Sequence, residues 1–276
     1  MSAVTFPRLD HSGRVSQLRV ALSEWTKLRS VRSTLWTLGV AVLLTIGVPC
    51  LVALVTKSHW NSMTQGDRLD RYHNRLALAT AGVNLSVLAI AVLAVLTITA
   101  EYSTGMIRAS FTAVPKRLPV LWAKLGVFAA VTLLLMVPSV FIAYWANQAI
   151  LHSHNPPILQ ASLSDHGVFR TVLGSAIYLT LVGVFAMALG AIIRNTAGGI
   201  SAFVAIFFVI PPLMNILPTN WNNAISEWLP SSAARDIFQL THGTHDLSPA
   251  GGAAAFVGYC ALMIAIAAIL LRRRDT

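Results

Sequence analysis

The chain has 276 residues, of which 55% are apolar and only 11% charged, with a formal net charge of +10. A soluble domain carries about a quarter of its residues charged. So few charges could not cover a soluble globule of this length, and the composition places the chain in a membrane.

Residues 1–13 carry no periodic pattern and read as a disordered tail. Residues 14–33 are amphipathic. Val15, Leu18, Leu22, Trp25 and Leu28 recur at three- and four-residue spacing on one helical face, with Arg14, Gln17, Glu24 and Lys27 largely off it. Such a helix rests in the interface with its apolar side down. It serves either as a plain anchor or as a lever touching a partner. Six apolar stretches follow, at about 35–56, 76–99, 121–145, 171–193, 199–217 and 251–271. Each comes near or above the roughly 20 residues that cross about 30 Å of hydrocarbon. Each must be helical, because a span in lipid satisfies its own backbone hydrogen bonds. Residues 272–276 form a basic tail. The first 34 residues are polar and basic, so no cleaved leader is expected. Cys50 and Cys260 fall inside spans and read as small apolar residues.

Basic residues set the orientation. With the N-terminus cytoplasmic, fourteen of the 20 Lys and Arg lie inside, Lys124 among them, and six lie outside. Both termini are then cytoplasmic. The positive charge faces anionic lipid and calls for no nucleic acid.

Between spans two and three runs Glu101-Tyr102-Ser103-Thr104-Gly105-Met106-Ile107-Arg108, then Pro115-Lys116-Arg117. Ser103 or Thr104 can cap a short helix, and Pro115 and Pro119 end it. Glu101 sits where a span meets cytoplasm, so its carboxylate needs a cation, a backbone N–H or water.

These segments resemble the membrane subunit of a type-2 ABC exporter of the actinobacterial kind. The resemblance rests on Glu24-Trp25-Thr26-Lys27-Leu28-Arg29-Ser30-Val31-Arg32 before span one, on the run from Glu101 to Arg108, and on six spans with an Arg-rich tail. It implies a connecting helix, with Glu24, Trp25, Lys27 and Arg29, ahead of span one. It implies a cytoplasmic coupling helix, with Glu101, Tyr102, Thr104, Met106, Ile107 and Arg108, docking on an ATP-binding subunit. It also implies short helices between spans five and six that dip back into the outer leaflet. Asn220 to Phe238 fits, with Trp221 and Trp228 among polar residues and Pro218 and Pro230 as breaks. The family pairs two permeases, alike or different, with two ATPases in a bacterial plasma membrane.

No Gly-x-x-x-x-Gly-Lys-Ser/Thr loop is present, so ATP and Mg belong to the partner and this chain carries no cofactor. No zinc-protease helix or nucleophile elbow occurs either, and no enzymatic activity is expected. His152 and His154, near Asp165 and His166, read as solvated loop residues rather than a metal site, and no other metal site is expected. The span cores hold no Asp, Glu, Lys or Arg, which argues against an ion-coupled carrier. Pro211-Pro212 reads as a packing kink or as a hinge lining a path. Asn84 and Asn215 read as interhelical hydrogen-bonding groups or path residues. The expected function is the membrane path of an ATP-driven exporter, for an amphipathic compound, a lipid-like molecule or an antibiotic. The alternative is a six-span carrier, sensor or scaffold that acts without an ATPase.

Overall fold

A computed structural model describes residues 17–103, 117–152, 161–240 and 247–273. The tail at 1–13, most of the predicted coupling helix and the last three residues lie outside them. Every regular element among the described residues is helical. Among the described residues six helical segments are long and apolar enough to cross a membrane, so the chain is a multi-pass membrane protein.

Helix α1 (Gln17–Ser30) leads through Val31 into α2 (Arg32–His59). A 3-10 turn and α3 (Gln65–His73) connect the first two spans, and α4 (Arg75–Thr80) follows. Thr64 and Asp67 start α3 with a reciprocal capping box. The second span is α4 followed by α5 (Val83–Ser103). The third is α6 (Arg117–His152), the fourth α7 (Val168–Ile193). The fifth comprises α8 (Thr196–Val204), a π turn (Ala205–Val209) and α9 (Ile210–Met214). Two short helices, α10 (Thr219–Ser226) and α11 (Pro230–Asp236), lead to the sixth, α12 (Pro249–Arg273).

The second span departs from the single helix that its hydropathy predicts. It breaks at Ala81–Gly82. Pro49 lies within the facing helix α2, and a Cβ on Gly82 would stand 2.8 Å from the Thr45 carbonyl oxygen and 2.8 Å from Pro49 Cδ. Only glycine lets the two backbones meet there. Polar contacts reinforce the crossing. Thr45 Oγ1 and Ser86 Oγ lie 2.7 Å apart, and Asn147 of α6 donates to the Pro49 carbonyl.

Helix α7 is the centre of the bundle, with long runs of buried residues on every face. Its small residues admit the neighbours. A Cβ on Gly183 would overlap Phe128 of α6, and one on Gly190 would press on Ile98 of α5. Spans four and five turn within two residues. Arg194 adopts a left-handed conformation (φ 58°) as the C-cap of α7, and the Asn195 side chain accepts from Gly198 N–H to start α8.

The fifth span is bent by its own chemistry. Pro211 and Pro212 bring no N–H, so the carbonyls four residues earlier lose their helical donors. The preceding turn widens to π geometry, with Ile210 N–H bonding to the Ala205 carbonyl.

Candidate functional site

Two features stand at opposite ends of the bundle. The first joins α1 to the ends of α5 and α6. Lys124 Nζ lies 2.6 Å from Glu24 Oε2 and 2.9 Å from Glu101 Oε1. Lys27 Nζ lies 2.6 Å from Glu24 Oε1 and 3.1 Å from Glu101 Oε1. The four charges alternate around a closed ring, each touching two of opposite sign. Glu24 is 3% exposed, and Glu101 and Lys124 are each 5% exposed; only Lys27 reaches the surface, with 34% of its side chain exposed. Val20, Val120 and Ala123 form a buried apolar cluster alongside.

A charge this deep is tolerable only when its hydrogen-bonding capacity is used. Burial favours the neutral form of the Glu24 carboxyl, but the Lys124 and Lys27 ammonium groups outweigh it and hold the carboxyl below its ordinary range. Burial likewise works against the Lys27 ammonium. Its hydrogen bond to Glu24 and the charge of Glu101 prevail, raising it above its ordinary value.

The arrangement adds a docking face to the reading of α1. The helix turns Val20, Glu24 and Leu28 toward the protein, while Leu18, Leu22 and Trp25 of its apolar stripe are exposed. The docking face is mixed, with Val20 in an apolar cluster and Glu24 paired to Lys124. Lys124, one of the fourteen basic residues assigned to the cytoplasmic side, lies within the third spanning helix, buried against two carboxylates. The expectation that span cores hold no Asp, Glu, Lys or Arg did not reach these span ends, where Lys124 and Glu101 are buried. The need of Glu101 for a cation was the signal available in the sequence.

Of the residues assigned to the connecting helix, Glu24 and Lys27 belong to the ring, while Trp25 and Arg29 are exposed and outside it. Of those assigned to coupling, Glu101 belongs to the ring. Tyr102 lies under the Arg194 guanidinium, 5.2 Å from its ring centre. Arg194 also donates to the Leu270 carbonyl, and Thr99 and Thr196 hydroxyls meet at 2.8 Å, so spans two, four, five and six are joined beside the ring. Thr104, Met106, Ile107 and Arg108 lie outside the described residues.

The second feature is a cavity of about 770 Å³ at the far end, beneath α10 and α11. It gathers Asn84, Pro211, Pro212 and Asn215 into one wall system. Helix α11 roofs it. This helix is buried rather than surface-lying, with Ala233 and Ala234 fully inaccessible. Two glycines admit it: a Cβ on Gly174 would stand 2.9 Å from the Ile237 carbonyl oxygen, and one on Gly252 would stand 2.8 Å from that of Ala233. Trp221 and Trp228 stay exposed on the outer side. The Tyr259 hydroxyl donates to the Trp228 carbonyl and ties the roof to α12.

The sequence did not single out Tyr178, Ser231, Arg235 or Asp236, which also line the cavity. The break at Pro230 within an otherwise amphipathic stretch was their one signal. Among the described residues no three His, Cys, Asp or Glu gather to hold a metal ion; His154 lies outside them. No protein-family model matches the chain, and no curated protein matches it.

Proposed function

We propose that the chain is the permease subunit of an ATP-driven exporter in a bacterial plasma membrane, with both termini cytoplasmic. A separate subunit binds ATP and Mg, and a second permease copy, identical or different, completes the path. The ring of Glu24, Lys27, Glu101 and Lys124 carries the reading. Glu101 and Lys124 stand on the two helices that flank residues 104–116, and both are tied to α1. A push on the segment 104–116 would therefore reach α1, α5 and α6 together. That is what an ATPase docked on this segment requires. The exposed Leu18, Leu22 and Trp25 stripe lets α1 lie on lipid while the face of Val20, Glu24 and Leu28 grips the bundle.

At the other end, the π turn before Pro211 and Pro212 gives the fifth span a place to bend beside the cavity. Closure of paired ATPases would rock the spans about this point and open the cavity outward. An amphipathic compound suits the mixed lining.

The test is co-purification of the tagged full chain from its native membrane. An ATP-binding subunit should accompany it. If the chain purifies alone and works with ion gradients only, the exporter reading fails and a secondary carrier takes its place.

A further inference from the structure

The cavity beneath α11 has a neighbour of about 240 Å³, and the two share Asn84, Arg235 and Gln239 in their walls. They are two lobes of one chamber. Each lobe contains a buried hydroxyl with no hydrogen-bond partner among the described residues: Ser231 Oγ in the larger and Thr171 Oγ1 in the smaller. Ser231 is 4% exposed and Thr171 is 2% exposed. Buried polar atoms in native proteins are paired, so these two hydroxyls call for a partner, which water or a bound molecule in the cavity supplies.

We infer that this chamber binds an amphipathic molecule whose head is rich in hydroxyl or amide groups, as in a sugar. Two features select that chemistry. The side-chain amides of Asn84, Asn215 and Gln239 each offer both donor and acceptor, which matches hydroxyls and amides on both sides of the hydrogen bond. Tyr178, Phe207 and Phe208 supply flat apolar surface to the larger lobe, for the C–H face of a ring or the start of a chain. The larger lobe falls within the usual size of ligand sites, about 300–1,000 Å³.

The inference deepens the export reading by naming its substrate class, and rests on it only for the direction in which the ligand travels. Binding needs no ATPase, so either can fail without the other. The full chain in phosphatidylcholine nanodiscs is irradiated with an alkyl glucoside carrying a diazirine in its chain, and adducts are located by mass spectrometry. Adducts should concentrate on residues 205–214 and 228–239 and disappear with excess octyl glucoside. If free glucose also competes, a soluble ligand with the same head chemistry suffices; if only octyl glucoside competes, the chain is needed too. Both outcomes support the site. Ser231→Ala, which removes one atom and leaves the volume nearly intact, should lower specific labelling about three- to ten-fold, the effect of one lost hydrogen bond. Adducts spread evenly over lipid-facing helices, unchanged labelling in Ser231→Ala, or equal labelling by a trimethylammonium-headed probe would each overturn the proposal.

Discussion

Lys124 and Glu24 stand 100 positions apart in the chain, on different helices, yet their charged atoms meet at 2.6 Å with both side chains buried. Neither could be buried alone, so the contact fixes where α1 sits on the bundle. Lys124→Met removes the ammonium that two buried carboxylates share and should lower stability by about 3–5 kcal/mol. Lys27→Met, at the exposed corner of the ring, should cost about 1 kcal/mol or less. Thermal unfolding of the detergent-solubilised variants separates the two. Equal losses would mean that the ring is not buried as described.

The ring is more than a pair, and exchanging charges reveals it. Exchanging one pair, Glu24→Lys with Lys124→Glu, keeps that contact attractive. It also sets two ammonium groups together at positions 24 and 27 and two carboxylates together at 101 and 124, given the contacts of the native ring. The double variant should therefore be no more stable than either single variant. Full rescue, which an isolated ion pair would give, would show that Lys27 and Glu101 are bystanders.

The same charges set a pH window. Glu24 lies below its ordinary value of 4.5, so its contribution is present above that value and lost as pH falls through the lowered one. Lys27 lies above its ordinary 10.5, so its contribution is present below that value and lost as pH rises through the raised one. Stability should be flat between about pH 5 and pH 10 and fall on both sides. Glu24→Gln should weaken the acid limb, and Lys27→Met the basic limb, in melting curves taken across pH.

The roof of the cavity depends on Gly252, where an added Cβ would stand 2.7 Å from Asp236 Cβ and 2.8 Å from the Ala233 carbonyl oxygen. Backbone cannot yield as a flexible side chain does. Gly252→Ala should displace α11 and destabilise the protein by about 1–3 kcal/mol. Faster maleimide labelling of a cysteine introduced by Ser231→Cys should accompany the loss, since Ser231 is buried beneath the native roof. Gly258→Ala on the same helix meets nothing within 4 Å and should be neutral.

The six spans were legible because hydropathy is a local property, and each span had to be apolar and about 20 residues long. The charge ring was only half legible. Glu101 announced a need for a cation, and Glu24 and Lys27 are a turn apart. Lys124 could not be joined to them, because its contacts come from other helices and the local sequence favours counting it simply with the cytoplasmic-side basic residues. The same limit hid which face of α1 docks: periodicity identified an apolar stripe but not what lay opposite. Gly82 shows the limit in packing, since its requirement for no side chain comes from Thr45 and Pro49 on α2. The cavity gathers Asn84, Pro211, Pro212 and Asn215 from two spans, a juxtaposition that no spacing along the chain encodes.

The central claim, that an ATPase acts on this chain through the segment between Glu101 and Lys124, is tested most directly by vanadate-sensitive ATP hydrolysis. The activity is measured in the material that co-purifies with wild type and with Arg108→Glu. The account predicts hydrolysis with wild type, and loss of the partner or of its activity with the variant, while the ring residues and the fold remain intact. Equal hydrolysis in both, or none with wild type, would contradict it.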